Sequence, residues 1–418
     1  MTERLYYHDS FLYDFDGEIV EVMPPSGADG RHGIVLDRTA FYPTSGGQVH
    51  DTGWIMPESQ PSSSESTEKL RVSGVIDDDR GRVVHYIEAE RAPEKGTRVR
   101  GSIDGRRRLD HMRQHSGQHV LSAAFVRLFN FPTVSFHMGE ESCSIDLDTP
   151  GLTSEQVIAA EGLANQIVLE NRPVGIRFVT PDEARNLELR KIPPVEKDKL
   201  RLIDISEFDL TACGGTHVSG TGQIGAILLR KTEKVRQGWR VEFVCGERAV
   251  GSARHDYAVL TEAAGLFSSH IWDVPQQVRK LQDETRALRK FTQDLQEQIA
   301  DLQAQQLLAV TPEKSGRKLV VQIFADRDLG FTKLLVQRLT RLEARVVALL
   351  ATTADNPGLV FGQSAGQPFD MGALMKEAMS RLGGRGGGSK DLAQGGAPNA
   401  DGIEQTVKDL ASGLDSAA

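Results

Sequence analysis

The sequence predicts a multidomain α+β chain, and three observations carry that expectation. Residues 1–100 are filled with short runs of alternating apolar and polar character, broken by Gly, Pro and Asp. Residues 101–255 alternate between segments of helical and strand period. A polar, Gly-poor stretch over 270–308 separates these from a further α/β segment after Pro312. At roughly 100–200 residues per domain, the 418 residues divide into a glycine-rich, β-barrel-like domain (1–100), an α/β core (101–255), a helical linker or coiled coil (256–312) and a C-terminal α/β domain (313–418).

Each element has a local reason. GEIVEVM, GIVLDRTAFY and RVVHYIEAE alternate like half-buried strands, and PESQPSSSESTEK at 57–69 is a polar loop with no core residues. LDHMRQHSGQHVLSAAFVRLFN reads as a helix with Val120, Ala123, Ala124, Phe125 and Leu128 on its apolar stripe. SCSIDLD reads as a strand, and SEQVIAAEGLANQIVLENRPV as a helix capped by Ser154 and stopped near Pro173. TGQIGAILLRKTEKVRQGWRVEFVCG predicts a β-hairpin. In the linker Leu281, Leu288, Leu295 and Leu302 recur every seven residues, while Val278, Thr285, Thr292 and Ile299 make the second seam position half polar. That pattern predicts a long helix with a weak coiled-coil seam. KLVVQIFA and ARVVALLATT are buried-strand candidates flanking a helix, GFTKLLVQRLTRL. The run 383–402 is Gly-rich: it is either a flexible linker or, with Lys390 and Gln394, an anion site of backbone amides and a cation.

Composition excludes several classes. Hydrophobic content is 39% and charged content 26%, as in globular proteins. No apolar run approaches the roughly 18–20 residues of a membrane span. MTERLYYHDSFLYDF lacks the basic-then-apolar pattern of a signal peptide, so a cytoplasmic location is expected. Three cysteines, Cys143, Cys213 and Cys245, do not make a disulfide framework. The net charge is −9, yet two stretches are locally basic. One carries Arg98, Arg100, Arg106, Arg107, Arg108 and Arg113; the other carries Arg230, Lys231, Lys234, Arg236 and Arg240, with Trp239 between them. Each is a solvated face or an RNA-binding patch.

The chemistry concentrates in HMRQHSGQH, with His111, His115 and His119 four residues apart. His111 and His119 lie about 12 Å apart along a helix, at about 1.5 Å per residue. A metal with Zn–N bonds of about 2.0–2.1 Å therefore takes an adjacent pair. His115 and His119 run into the apolar stripe, with small Ser116 and Gly117 between them, whereas His111 follows three arginines. That favours His115/His119. TACGGTHVSG supplies a second half-site, Cys213 and His217, in a turn rather than a regular helix. One thiolate and three imidazoles suit zinc. Cys143 and Cys245 have no histidine at such spacing and are expected as buried thiols. In AFYPTSGGQVHDTGWI, Gly46 and Gly47 let the backbone approach a ligand, and Gln48 offers a donor and an acceptor.

FYPTSGGQVHDTG, HSGQH, CGGTH and GGRGGGSKDLAQGG, in this order, resemble the editing and C-terminal (C-Ala) domains of alanyl-tRNA synthetase and the AlaX proteins, in their long form. The resemblance spans nearly the whole chain. It implies a trans-editing hydrolase that cleaves the ester of mischarged tRNA(Ala), Ser-tRNA(Ala) first and Gly-tRNA(Ala) second. It maps the ligands of one zinc ion per chain onto His115, His119, Cys213 and His217, and leaves His111 as a polar or RNA-side histidine. With the editing-type motif starting at residue 40, an ATP-dependent aminoacylation domain is not expected. No Ser-His-Asp arrangement is evident, so hydrolysis is expected without an acyl-enzyme. Candidates for sensing the serine hydroxyl and for catalysis are Thr133, Ser135 and His137, in a segment where the synthetases typically carry a glutamine. Gly46, Gly47, Gln48, Arg106, Arg107, Arg108, Lys231, Arg236 and Lys390 are candidate substrate or tRNA contacts. Homodimerisation through the linker and C-terminal domain is a further expectation. The rival readings are a catalytically inactive zinc-containing tRNA-binding protein and threonyl-type editing of Ser-tRNA(Thr).

Overall fold

The computed structural model describes residues 1–26, 31–58, 69–78, 80–190 and 199–416. Most of the expected loop at 57–69 lies outside them. The chain divides into two compact units, Met1–Glu262 and Ala263–Ala418.

The first unit begins with a closed six-stranded barrel. Its strands are β1 (Asp14–Ser26), β2 (Arg31–Leu36), β3 (Gly53–Pro57), β4 (Leu70–Asp77), β5 (Val83–Glu88) and β6 (Arg98–Ile103), in the order β1-β2-β5-β4-β3-β6. Alternation drives the closure: in β6, Val99, Gly101 and Ile103 point inward while Arg98 and Arg100 face out. Ile19, Ile34, Ile55, Val72 and Ile87 fill the interior. Closing the sheet removes its edges.

The barrel feeds α1 (Gly105–Phe129), which carries the histidine motif. It starts earlier than the apolar stripe indicates, because the Asp104 side chain caps it by accepting from the Arg107 N–H. It ends at Asn130, whose backbone is left-handed. Next come β7 (Thr133–Met138), β8 (Cys143–Leu147), α2 (Ser154–Leu169), β9 (Val174–Val179), β10 (Leu200–Ile205), β11 (Asp209–Ala212) and the hairpin β12 (Ile227–Val235) and β13 (Gly238–Cys245). The cap of α2 is Thr153 rather than the expected Ser154; its hydroxyl accepts from the Gln156 N–H while the Gln156 side chain returns to the Thr153 N–H. The sheet β12-β13-β8-β7 and the small sheet β9-β10-β11 share a core in which Val120, Leu121 and Phe125 of α1 meet Ile145, Ile167, Val241 and Phe243.

The boundary between units falls in α3 (Glu247–Leu266). The second unit has the expected long helix, α4 (Val274–Val310). Its last turns bury Ala300, Ala304 and Leu308 against α5 (Leu329–Leu342), where Arg338 pairs with Glu297 and Asp301. Farther back the seam is open: Leu281 and Leu288 are 52% and 65% exposed. The six-stranded sheet runs Glu313–Lys314, β14 (Arg317–Phe324), β15 (Val346–Thr352), β16 (Gly358–Gln363), β18 (Leu392–Gly396), β17 (Arg385–Gly388). Its two faces are covered by α4 with α5, and by α6 (Met371–Leu382) with α7 (Ile403–Ser416).

The Gly-rich run is neither a linker nor a loop. It forms β17 and β18, in which Gly386, Gly388 and Gly395 are demanded by contact. A Cβ on Gly386 would stand 2.6 Å from the Gly395 Cα, and one on Gly395 2.6 Å from the Met379 sulfur.

Candidate metal centre and hydrolytic site

Two segments far apart in sequence bring four donors together. His115 and His119 lie on successive turns of the buried face of α1, and Cys213 and His217 lie on the loop that leaves β11. Their ligand atoms all lie within 4.8 Å of one another. The Cys213 sulfur is 3.5 Å from His115 Nε2 and 3.4 Å from His217 Nε2. Glycine makes the approach feasible, since a Cβ on Gly215 would stand 2.2 Å from the His115 ring. Gly117 likewise leaves room for Cys245, whose sulfur would be 2.3 Å from an added Cβ.

Each imidazole has a polar neighbour at Nδ1. His115 Nδ1–H donates to Gln48 Oε1 at 2.8 Å. Gln48 is fully buried, and its amide is locked by donating to Thr216 Oγ1 and accepting from the Thr216 N–H. His217 Nδ1 lies 3.1 Å from Ser116 Oγ. His119 Nδ1 is 3.4 Å from Asp209 Oδ2, and Arg190 grips both oxygens of that carboxylate at 2.7 and 3.0 Å. Such neighbours orient ring ligands and leave Nε2 turned inward.

The electrostatics suit a bound cation. Burial alone would raise the Cys213 pKa, but the His115 and His217 imidazoles beside it hold the thiol well below its usual range. Burial, aided by His115, drives His217 well below the usual imidazole range. For His119 burial acts downward, yet Asp209 and Cys213 outweigh it and raise the pKa. Burial would raise Asp209, but His119 and Arg190 pull it below the ordinary carboxylate range. A thiol inclined to ionise beside three convergent imidazoles fits zinc, a borderline-soft ion of low coordination number.

The cluster borders a cavity of about 460 Å³ whose wall includes Gly46, Gln118, Thr133, Ser135 and Arg190. Thr133 Oγ1 and Ser122 Oγ share a 2.7 Å hydrogen bond, and Gln118 Nε2 donates to Ser122 Oγ. Ser135 Oγ donates to Asp146 at 2.7 Å.

Several expected site residues lie elsewhere. His137 is exposed and does not line this cavity: the wall takes Thr133 to Phe136 from β7, whereas His137 stands opposite Ser144 farther along the strand. Gly47 packs on β7, its carbonyl accepting from the Met138 N–H. Gln48 supports His115 rather than facing open space. Arg108 is not an RNA contact: it is fully buried, paired with Asp51 and donating to the Ser10 and Ala40 carbonyls. His111 is 2% exposed rather than at a polar surface, and burial lowers its pKa to about 4. Arg106 is exposed near Glu247 and Arg107 donates to the His50 carbonyl. Lys231 pairs with Glu233, and Arg236 lines a separate cavity. Lys390 sits exposed in the turn between β17 and β18 of the second unit. Cys143 and Cys245 are buried thiols, raised in pKa by burial. Asp209 and Arg190 were not expected; the only signal for Asp209 is its place at the start of the strand leading into Cys213.

By domain content this chain is similar to the alanyl-tRNA synthetase and AlaX proteins. Residues 16–107 match the family tRNA synthetases class II (A), residues 200–241 the Threonyl and Alanyl tRNA synthetase second additional domain, and residues 316–414 the DHHA1 domain. Among individual relatives, the alanyl-tRNA editing protein AlaX-L of Pyrococcus horikoshii is 29% identical over 399 residues, covering 94% of each chain. The alanine–tRNA ligase of Archaeoglobus fulgidus is 32% identical over 94% of this chain and 42% of its own length. The present chain thus spans less than half of such ligases. The solved C-Ala domain of Aquifex aeolicus alanyl-tRNA synthetase, 25% identical, covers 24% of this chain with a TM-score of 0.23.

Proposed function

We propose that this chain hydrolyses the ester of mischarged tRNA(Ala), acting on Ser-tRNA(Ala) foremost and on Gly-tRNA(Ala) second, at a centre holding one zinc ion per chain. The observation that carries the reading is the convergence of His115, His119, Cys213 and His217 beside a cavity that presents hydroxyls. Similarity to an alanyl-tRNA editing protein over 94% of both chains supports it.

The reaction adds water to the ester carbonyl, breaks the acyl–oxygen bond and returns a proton to the ribose oxygen. Zinc in this donor set supplies Lewis acidity toward an ester or water oxygen. The chain's own part is positioning. Gln48 fixes the His115 ring, and Arg190 with Asp209 braces His119. Thr133 is the residue for sensing the serine hydroxyl. Its own hydroxyl lies on the cavity wall, held by Ser122, whereas the Ser135 proton is committed to Asp146. A hydrogen bond to the substrate hydroxyl discriminates against an analogue that lacks it far more strongly than an apolar pocket rejects an added group. Thr133 thus takes the part that a glutamine plays in the synthetases.

The test is deacylation of Ser-tRNA(Ala), Gly-tRNA(Ala), Ala-tRNA(Ala) and Ser-tRNA(Thr) by the full chain. The reading expects Ser-tRNA(Ala) fastest and Ala-tRNA(Ala) spared. Preference for Ser-tRNA(Thr) would instead support a threonyl-type specificity, and hydrolysis of none of the four would leave a tRNA-binding protein without catalysis.

A further inference from the structure

A cavity of about 460 Å³ holds a drug-sized group, on the scale of an aminoacylated terminal nucleoside. The rest of a single-stranded 3′ end must then leave across the surface. Val134 marks one exit. It is 53% exposed and belongs to the walls of two cavities, the hydrolytic one and a neighbour of about 630 Å³.

The neighbour is cationic where the strand would emerge. Lys234 and Arg236 line it from the end of the β12–β13 hairpin, with Asp148 as the one carboxylate on the same wall. Among the described residues, neither cation has a carboxylate within ion-pair distance. Nearby basic side chains are already committed: Arg190 to Asp209, Arg230 to Asp256, Lys231 to Glu233 and Arg240 to Asp146. The backbone that carries the two cations is fixed. Val235 pairs with Gly238, so Arg236 and Gln237 form a two-residue turn. That turn is pinned to the end of β8, since a Cβ on Gly238 would stand 2.0 Å from the Leu147 carbonyl oxygen.

We propose that Lys234 and Arg236 form a subsite for the phosphodiester backbone of the single-stranded 3′ end, which leaves the hydrolytic cavity over Val134. Phosphate contacts of this kind position a strand without reading its sequence. The subsite rests on the editing function proposed above, and its test separates the two.

The full chain carrying Lys234→Gln and Arg236→Gln is compared with the parent on Ser-tRNA(Ala) and on 3′-O-seryladenosine, which has no phosphodiester. The ratio of kcat/KM values, tRNA over nucleoside, falls roughly tenfold, and the log–log salt dependence for tRNA falls by about 1.4, two contacts at about 0.7 each. An unaltered ratio and salt slope, or an equal loss on both substrates, overturns the subsite. If the parent deacylates nothing, the editing function fails but the subsite is still tested. Affinity for a short single-stranded 3′-acceptor RNA, followed by fluorescence anisotropy, must then show the same weakening and the same loss of salt slope; equal affinities overturn it.

Discussion

Gln48 and Asp209 show what a metal-type centre requires beyond its donors. Gln48 reaches His115 across 67 positions of sequence, and its amide is orientated by Thr216 next to His217. The four donors themselves were legible because helical spacing restricts one ion to two histidines of three and CGGTH supplies a second half-site. Burial does not separate the three, since His111 is as buried as His115 and His119; it is the approach of Cys213 and His217 that singles out the pair. Their supports were not, because no local pattern distinguishes a glutamine in a glycine-rich turn that braces a ring from one that meets a substrate. Arg108 was misread for the same reason. Three successive arginines look like a basic face, but helical geometry turns the third into the protein, against Asp51. A prediction at this scale concerns His85, which is fully buried, donates from Nδ1 to the Ile34 carbonyl and bonds Thr39 through Nε2. Burial lowers its pKa to about 4, against about 6.5 when unfolded. The unfolded chain therefore binds a proton that the folded chain refuses between those values. Stability is complete above about pH 6.5, declines as the pH falls toward about 4 and then levels, a loss of roughly 3 kcal/mol. In urea titrations at pH 7 and 4.5, His85→Gln should lose markedly less stability on acidification than the parent. Equal losses would show that His85 does not cause the acid destabilisation.

At the scale of elements, α1 and the loop after β11 were readable as chemistry, and the barrel strands as alternation. The Gly-rich strands β17 and β18 were not, because glycines selected by close packing against α6 resemble glycines selected for flexibility. The turn at Gly46–Gly47 lies between these cases. Both glycines have positive φ, 59° and 85°, and a Cβ on Gly47 would stand 2.4 Å from the Phe136 carbonyl oxygen. Gly47→Ala must push the turn off β7, and Gln48 moves with it. The expected cost is about 2 kcal/mol or more, together with weaker metal retention, read by chemical denaturation and elemental analysis. A variant as stable as the parent would show that the turn does not need this contact.

For the whole molecule, two compact units place the four donors entirely in the first. The second carries the DHHA1 match and an α4 seam that is exposed along Leu281 and Leu288. No helix among the described residues is long and apolar enough to cross a membrane. Deleting residues 316–418 is expected to leave zinc binding in place and to weaken tRNA binding on the order of 100-fold or more, as when one of two linked contacts is removed. Unchanged tRNA affinity and unchanged mass in solution would refute a role for the second unit in either binding or dimerisation.

His115, His119, Cys213 and His217 are expected to build one metal centre, with His111 outside it. Elemental analysis of purified Cys213→Ala and His111→Ala chains tests it most directly. About one equivalent of zinc is expected in the parent and in His111→Ala, and a large loss in Cys213→Ala. Zinc retained by Cys213→Ala, or lost from a folded His111→Ala chain, would contradict it.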